Sequence, residues 1–373
     1  MERRTFLRSS LSAGMVGLSG LAIAPRRASG SRATQSDDLI RLSSNENPLG
    51  IAPAARQAIV RGIAEANRYP RLRAELTQAL AEEHGVRSEN VVLGAGSTEV
   101  LKMAVQAFAT PAGHLIVANP TYEDAGFYAE PLDLHIHKVP LQPDMRHDLD
   151  TMRQIATSVT GPVCLYVCNP NNPTGTLTSS AAVDAMIASA PDNVYFLVDE
   201  AYFDYVRDDS YWSAIKWIAD NPRVLVVRTF SKVYGMAGIR LGYGLAHPDT
   251  SAKLRKLHVR NNANHFALVA GLASLSEHDF VARSLDVNVR GKEILCACLR
   301  DLGLDYFTSH TNFVMHQIAG DLRTYIVRMR ERGFRVGRPF PPMLRHSRLS
   351  IGLPEEMERF VEMLRSFRRE GLV

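Results

Sequence analysis

Four short segments carry residues whose types and spacing could do chemistry. The first is Thr229-Phe230-Ser231-Lys232, with Gly235, Gly238 and Arg240 close behind. A lysine beside two hydroxyls and an arginine reads as an amine nucleophile next to an anion site. The second, Asp199-Glu200-Ala201-Tyr202, puts a carboxylate at the exit of an apolar run. The third is Asn169-Pro170-Asn171-Asn172-Pro173-Thr174-Gly175, in which two prolines and a glycine fix an irregular turn able to aim an Asn amide at a ligand. The fourth, Gly94-Ala95-Gly96-Ser97-Thr98-Glu99, precedes a helical pattern. Its glycines let the backbone approach an anion, and the free N–H groups of a helix start would bind a phosphate. Singly, each has an ordinary explanation: a common Gly-rich turn, a surface cap at Asp199, a solvated loop lysine at Lys232. Together they fall at successive strand ends, and they reinforce one another.

The elements that must position them follow from hydrophobic periodicity. Between residues 70 and 250 short apolar runs alternate with helical patterns, which predicts strand-helix units and a mainly parallel sheet. The expected strands are 91–93, 115–118, 134–139, 163–168, 194–198, 224–228 and 241–245. Most are almost continuously apolar, as helices on both faces of the sheet require. Ligands in such sheets sit beyond the carboxyl ends of the strands, where the four segments lie. After residue 250 the pattern changes to helical stretches at 253–276 and 280–302, then short strands near 312–316 and 348–351. The expected organisation is a large domain at 70–250 and a smaller α/β domain at 251–373. Residues 34–69, with a helix from 53 to 66, are too short to fold alone and are expected to pack on the smaller domain.

The net charge of +4 is uneven. Arg3, Arg4, Arg8, Arg26, Arg27 and Arg32 face only Glu2 within residues 1–32, and the remainder is one unit negative. The body therefore lacks the clustered basic footprint of a nucleic-acid partner. Arg3-Arg4-Thr5-Phe6-Leu7-Arg8, an uncharged stretch from Ser9 to Ala24, and small residues after Arg27 follow the order of a cleaved export signal. The arginine pair resembles a twin-arginine signal over residues 1–33, which implies export to the periplasm or beyond. The apolar stretch is shorter than a spanning helix needs, so no stable membrane insertion is expected. Cys164, Cys168, Cys296 and Cys298 fit no metal spacing and no disulfide framework.

From Leu42-Ser43-Ser44-Asn45-Glu46-Asn47-Pro48 through Asn67-Arg68-Tyr69-Pro70 to Arg348-Leu349-Ser350-Ile351-Gly352, the chain resembles the fold-type I pyridoxal-phosphate (PLP) aminotransferases, most closely the histidinol-phosphate aminotransferase branch. Asn-Pro-x-Asn-Pro-Thr-Gly, Asp-Glu-Ala-Tyr and Ser-Lys-x-Tyr-Gly-x-Ala-Gly-x-Arg carry the resemblance. It implies the α/β aspartate-aminotransferase fold and ping-pong amino transfer between an L-amino acid, or an amino-alcohol phosphate, and a 2-oxo acid. Lys232 would hold PLP as a Schiff base and shuttle the proton, and Asp199 would pair with the ring nitrogen. Asn172 and Tyr202 would bond the ring oxygen, and Tyr122 would stack on the ring. Phosphate binding would fall to Gly96, Ser97, Thr98, Thr229, Ser231 and Arg240, helped by Tyr69 from the neighbouring subunit of a homodimer. Arg348 would clamp the substrate carboxylate, and Asn47 and Arg338 would contact substrate.

One departure stands out. In Gly333-Phe334-Arg335-Val336-Gly337-Arg338-Pro339, glycine occupies the place where that branch carries a phosphate-gripping arginine. Arg338 or Arg335 could compensate, although a one-residue shift reverses side-chain direction on a strand. A PLP decarboxylase or lyase on the same scaffold is the alternative reading. A non-catalytic PLP-binding sensor would need a further domain ahead of this fold.

Overall fold

Why the chemistry-bearing segments meet is visible in the strand order. The computed structural model describes residues 39–373. The strands are β1 (Ile40–Leu42), β2 (Val91–Gly94), β3 (His114–Asn119), β4 (His135–Pro140), β5 (Val163–Cys168), β6 (Val194–Asp199), β7 (Val224–Thr229), β8 (Gly242–Ala246), β9 (Phe313–Gln317), β10 (Phe334–Val336) and β11 (His346–Ser350). The helices are α1 (Pro53–Gly62), α2 (Arg73–Glu83), α3 (Ser97–Ala109), α4 (Asp124–Ala129), α5 (Leu149–Ser158), α6 (Ser180–Ser189), α7 (Pro248–Arg255), α8 (His265–Leu275), α9 (His278–Asp301), α10 (Leu322–Glu331) and α11 (Pro354–Arg369).

Seven strands form one sheet in the order β2-β8-β7-β6-β5-β3-β4. Only β8 runs antiparallel to its neighbours, so β2, β3, β5, β6 and β7 deliver their carboxyl ends to the same edge. Every residue of β5 and β7 is buried, which their unbroken apolar sequence requires, because α3 and its neighbours cover one face and α8 the other. The outer strand β4 carries His135, His137 and Lys138, polar side chains suited to an edge.

A separate cluster gathers Leu42, Leu295, Leu299, Val314, Phe334, Leu349 and Phe360 around two small sheets, β1 with β10 and β11 with β9. The two clusters do not part at residue 250. Ala267, Leu268 and Ala270 of α8 pack into the first core, and α9 runs from Phe280 in that core to Leu295 and Leu299 in the second. The segment before residue 69 is likewise shared: β1 joins the second cluster, whereas Ala52 and Ala55 join the first. Residues 34–38 and the whole of 1–33 lie outside the described residues.

The helix expected over 253–276 is two helices. Arg260-Asn261-Asn262-Ala263-Asn264 interrupts it, since asparagines bond to nearby backbone and favour caps over helix interiors. Asn261 takes φ 58°, Asn262 Nδ2 donates to Leu93 O at 3.0 Å, and Asn264 caps α8 through Ala267 N. All four cysteines are free. Among the described residues no helix is long and apolar enough to cross a membrane.

Candidate active site

A cavity of about 660 Å³ opens at the carboxyl edge of the large sheet and is closed on its far side by residues of the second cluster. β7 ends at Thr229 and the chain turns at once, placing Ser231 and Lys232 in its wall. β6 ends at Asp199, β5 leads to Asn172, β3 to Tyr122, and β2 to Ser97 and Thr98 at the start of α3. From the opposite side come Ser43, Asn45, Arg338, Phe340 and Arg348.

Burial sets the electrostatics. It pulls the Lys232 amine down to about 8, with the Arg348 charge adding to the shift. It pushes the Asp199 carboxyl up to about 6, even though Asp199 Oδ2 accepts from Tyr166 Oη at 2.9 Å and Oδ1 from Ala201 N at 3.1 Å. A buried carboxylate with so few donors is suited to a cationic N–H partner. Lys232 Nζ stands 5.5 Å from the centre of the Tyr202 ring, whose hydroxyl accepts from Asn45 Nδ2 at 2.9 Å. Burial also raises the Tyr202 hydroxyl well above its ordinary value, keeping it a donor.

The phosphate end is recognisable by its surplus of donors. Arg240 Nη2 lies 3.5 Å from Thr98 Oγ1 and Nη1 the same distance from Ser231 Oγ, contacts at the limit of hydrogen bonding. The N-terminus of α3 faces them, and Thr229 completes the hydroxyl set. Gly96 does not line the cavity but makes room for it: at φ 80°, a Cβ there would lie 2.3 Å from Arg240 Nη2. Arg240 itself holds φ 63°, a conformation costing on the order of 1–3 kcal/mol, and such strain clusters at functional sites. Hydroxyls, a guanidinium and free helix N–H groups are the donor set a phosphate monoester needs. With an amine and a carboxyl next to them, these residues fit PLP.

Arg348 is nearly enclosed, and burial lowers it to about 10. Its Nη1 donates to Asn172 Oδ1 at 2.6 Å and Nη2 to Ser43 O at 3.0 Å, while the buried Nε has no partner. The Asn172 amide oxygen is thus engaged, leaving its Nδ2 for a ligand. Tyr122 lines the cavity with its hydroxyl donating to Asp124 Oδ2 at 2.8 Å.

Gly96 apart, one expected contact is not made. Asn47 does not reach the cavity. Its Nδ2 donates to Val233 O at 2.8 Å and to Ser284 Oγ at 2.9 Å, and its Oδ1 accepts from Leu49 N, so its polar atoms are consumed in holding the backbone behind Lys232. Asn45, two residues earlier, takes the place against Tyr202. Arg338 does line the cavity, because β10 ends at Val336 and strand alternation no longer governs the following turn. Gly337 is where the chain passes so close to β11 that a Cβ would lie 2.4 Å from Arg348 O. Tyr69 is 81% exposed and lines no part of this chain's own cavity.

Three residues were not anticipated. Asn45 and Tyr166 support Tyr202 and Asp199, and Glu123 accepts from Arg338 at 2.6 Å at the mouth. Only Tyr166 left a signal, the one hydroxyl-bearing side chain in an otherwise apolar strand.

The family model for aminotransferase class I and II matches residues 37–364. A histidinol-phosphate aminotransferase of Moorella thermoacetica is 37% identical over 332 residues, 88% of this chain and 85% of that protein. Histidinol-phosphate aminotransferase 1 of Nitrosococcus oceani is 36% identical over 343 residues, 89% of each. Among solved structures, the histidinol-phosphate aminotransferase of Sinorhizobium meliloti in complex with pyridoxal-5'-phosphate superimposes with TM-score 0.82 at 27% identity, covering 89% of this chain and 91% of that one. With a phosphate cradle, a buried amine and a buried carboxyl in one cavity, the chain belongs to the class I and II aminotransferases and is a PLP-dependent enzyme.

Proposed function

We propose that this enzyme moves an amino group reversibly between an L-amino acid and a 2-oxo acid, one site serving both substrates in turn. The observation that carries the reading is the convergence of Lys232, Asp199 and Arg348 on one buried cavity. When bound, the cofactor supplies an aldehyde to hold the substrate nitrogen and a ring to withdraw its electrons. Everything else falls to side chains.

Lys232, with its amine brought near neutrality, takes the proton from the substrate α-carbon and returns it one position away. Asp199 would pair with the ring nitrogen and keep it protonated. Asn172 Nδ2 and Tyr202 Oη would hydrogen-bond the ring oxygen, and Tyr122 would pack on the ring. Ser97, Thr98, Thr229, Ser231 and Arg240 would hold the phosphate. Arg348 presents a planar fork to the α-carboxylate, a role for which lysine is a poor substitute. Arg338 stands further out, where a distal anionic group would arrive.

The test is a half-reaction screen of the holoenzyme with single amino acids and histidinol phosphate. The expected result is conversion of the cofactor absorbance to that of its aminated form by at least one donor. Release of CO2 without that conversion would replace this reading with decarboxylation.

Two further proposals concern assembly and location. Tyr69, exposed together with Val60, Ile63 and Val259, suits a homodimer in which each chain lends this tyrosine to the other's phosphate site; sedimentation as a monomer would refute it. Export by the twin-arginine route is supported by the order of residues 1–33. The pair Arg3→Lys and Arg4→Lys should hold the protein in the cytoplasm, and unchanged fractionation would count against export.

A further inference from the structure

Asp199 has to hold a negative charge where little helps it to do so. A carboxylate has about four acceptor positions, and here two are filled, by Tyr166 Oη at 2.9 Å and by Ala201 N at 3.1 Å. Burial pushes the carboxyl up, and Tyr166 is the largest influence against it, followed by Ala201 N. The Asp124 charge adds to the rise and Lys232 opposes it. The other groups facing Asp199 stay neutral, because burial keeps the hydroxyls of Tyr122 and Tyr202 and the thiol of Cys168 protonated. That thiol donates to Pro170 O at 3.5 Å. Among the described residues, Tyr166 is thus the one whose side chain hydrogen-bonds the Asp199 carboxylate.

The packing of β5 gives no reason for a hydroxyl. All six of its residues are buried and the other five are apolar, so a phenylalanine ring would fill the space of Tyr166 equally. A buried hydroxyl without a partner costs free energy, so this one has its explanation in what it bonds. The register of the sheet sets its reach. In the parallel pair Tyr166 lies beside Leu197 and Cys168 beside Asp199, so the hydroxyl spans two residues of strand, about 6.6 Å. Strand side chains lean along the strand, and a tyrosine is long enough to cover that step. Burial and the Asp199 charge hold the hydroxyl well above its ordinary value, so it keeps its proton and donates.

We propose that Tyr166 is a positioning residue of the reaction: by donating to Asp199 it keeps that carboxylate ionised, so that the proton between Asp199 and the ring nitrogen of the cofactor stays on the ring. The inference rests on the aminotransferase reading above. Without the hydroxyl, Asp199 is buried with Ala201 N as its remaining donor and becomes the stronger base, and the shared proton moves towards it. A ring that has given up that proton withdraws electrons less. The α-proton of the substrate is then harder to remove, and the nitrogen joining the cofactor to Lys232 holds its own proton more tightly.

The experiment follows the absorbance of the attached cofactor against pH in wild-type holoenzyme, in Tyr166→Phe, in Asp199→Asn and in the double variant. Tyr166→Phe keeps the ring that fills the core and removes one oxygen. It is expected to move the midpoint of the titration up by about half a pH unit or more. An amide at position 199 cannot exchange a proton with the ring, so adding Tyr166→Phe to Asp199→Asn should move the midpoint no further, as expected of two residues that act in series. Tyr325→Phe serves as the control, because it removes a buried hydroxyl from the second cluster, away from the cavity, and should leave the midpoint in place. An unmoved midpoint in Tyr166→Phe overturns the inference while amino transfer stands. So does an equal shift on the Asp199→Asn background or in Tyr325→Phe. A wild type without the absorbance of attached cofactor overturns both readings.

Discussion

Lys232→Ala protein is expected to lose amino transfer by roughly 10⁴-fold, together with the absorbance of covalently attached cofactor. Two functions leave with one side chain. The amine is the attachment point, and it is also the base, in a cavity whose other titrating groups are held elsewhere. Asp199 is engaged by Tyr166 and Ala201 N, and Tyr202 is kept protonated by burial. No neighbour can substitute. Cofactor capture by the apoenzyme supplies an independent check. Only the uncharged amine attacks a carbonyl, so the capture rate should rise with pH and level off above about 8, where Lys232 titrates. An ordinary lysine would carry the rise to about 10. An unchanged spectrum in the alanine variant, or a rise continuing to pH 10 in the wild type, would contradict the assignment.

Arg348→Ala should be the second largest loss, of about 2–5 kcal/mol in kcat/KM, or roughly 30- to 5,000-fold. The argument is desolvation. Burial has already lowered this guanidinium to about 10, it lies 4.4 Å from the Phe340 ring centre and 5.3 Å from that of Phe313, and its Nε lacks a partner. A carboxylate entering so dry a site without its counter-charge loses its water and gains nothing. Arg348→Lys is expected to recover little, because a point charge cannot reproduce the fork. The cofactor absorbance should persist in both variants. The loss should also be smaller for an amine without an α-carboxylate, such as histidinol phosphate; equal losses for both kinds of substrate would mean that Arg348 only supports the fold through Asn172 and Ser43.

Much of this site could be read before the fold was known, for a physical reason. A parallel sheet covered on both faces needs strands that are apolar throughout, so polar residues are pushed to the strand ends. Asp199, Thr229 and Lys232 stand out there by contrast. Loops offer no such contrast. Nothing local distinguishes Asn45 from Asn47, because the choice is made by Ser350 and Tyr202, one on β11 and the other beyond β6. Tyr166 stands out only as the one hydroxyl in an apolar strand, and the partner of that hydroxyl, Asp199, is set by the neighbouring strand. The proximity that requires Gly337 is set by the backbone of β11, and the place of Arg338 by a strand that ends two residues before it.

The segment around Ser43 and Asn45 carries a consequence for how the molecule comes into being. Asn45 bonds Ser350, and Arg348 bonds Ser43 O, each across 305 residues of chain. Contacts of that separation form slowly, because the closure entropy must be met before they contribute anything. Synthesis runs from the N-terminus, and domains tend to fold as they emerge. The large sheet can therefore be complete while the wall opposite Lys232 is still unmade. The enzyme becomes competent only when β11 has been made and meets the segment that follows β1, so a chain truncated before β11 would keep a phosphate cradle and have no closed room around it.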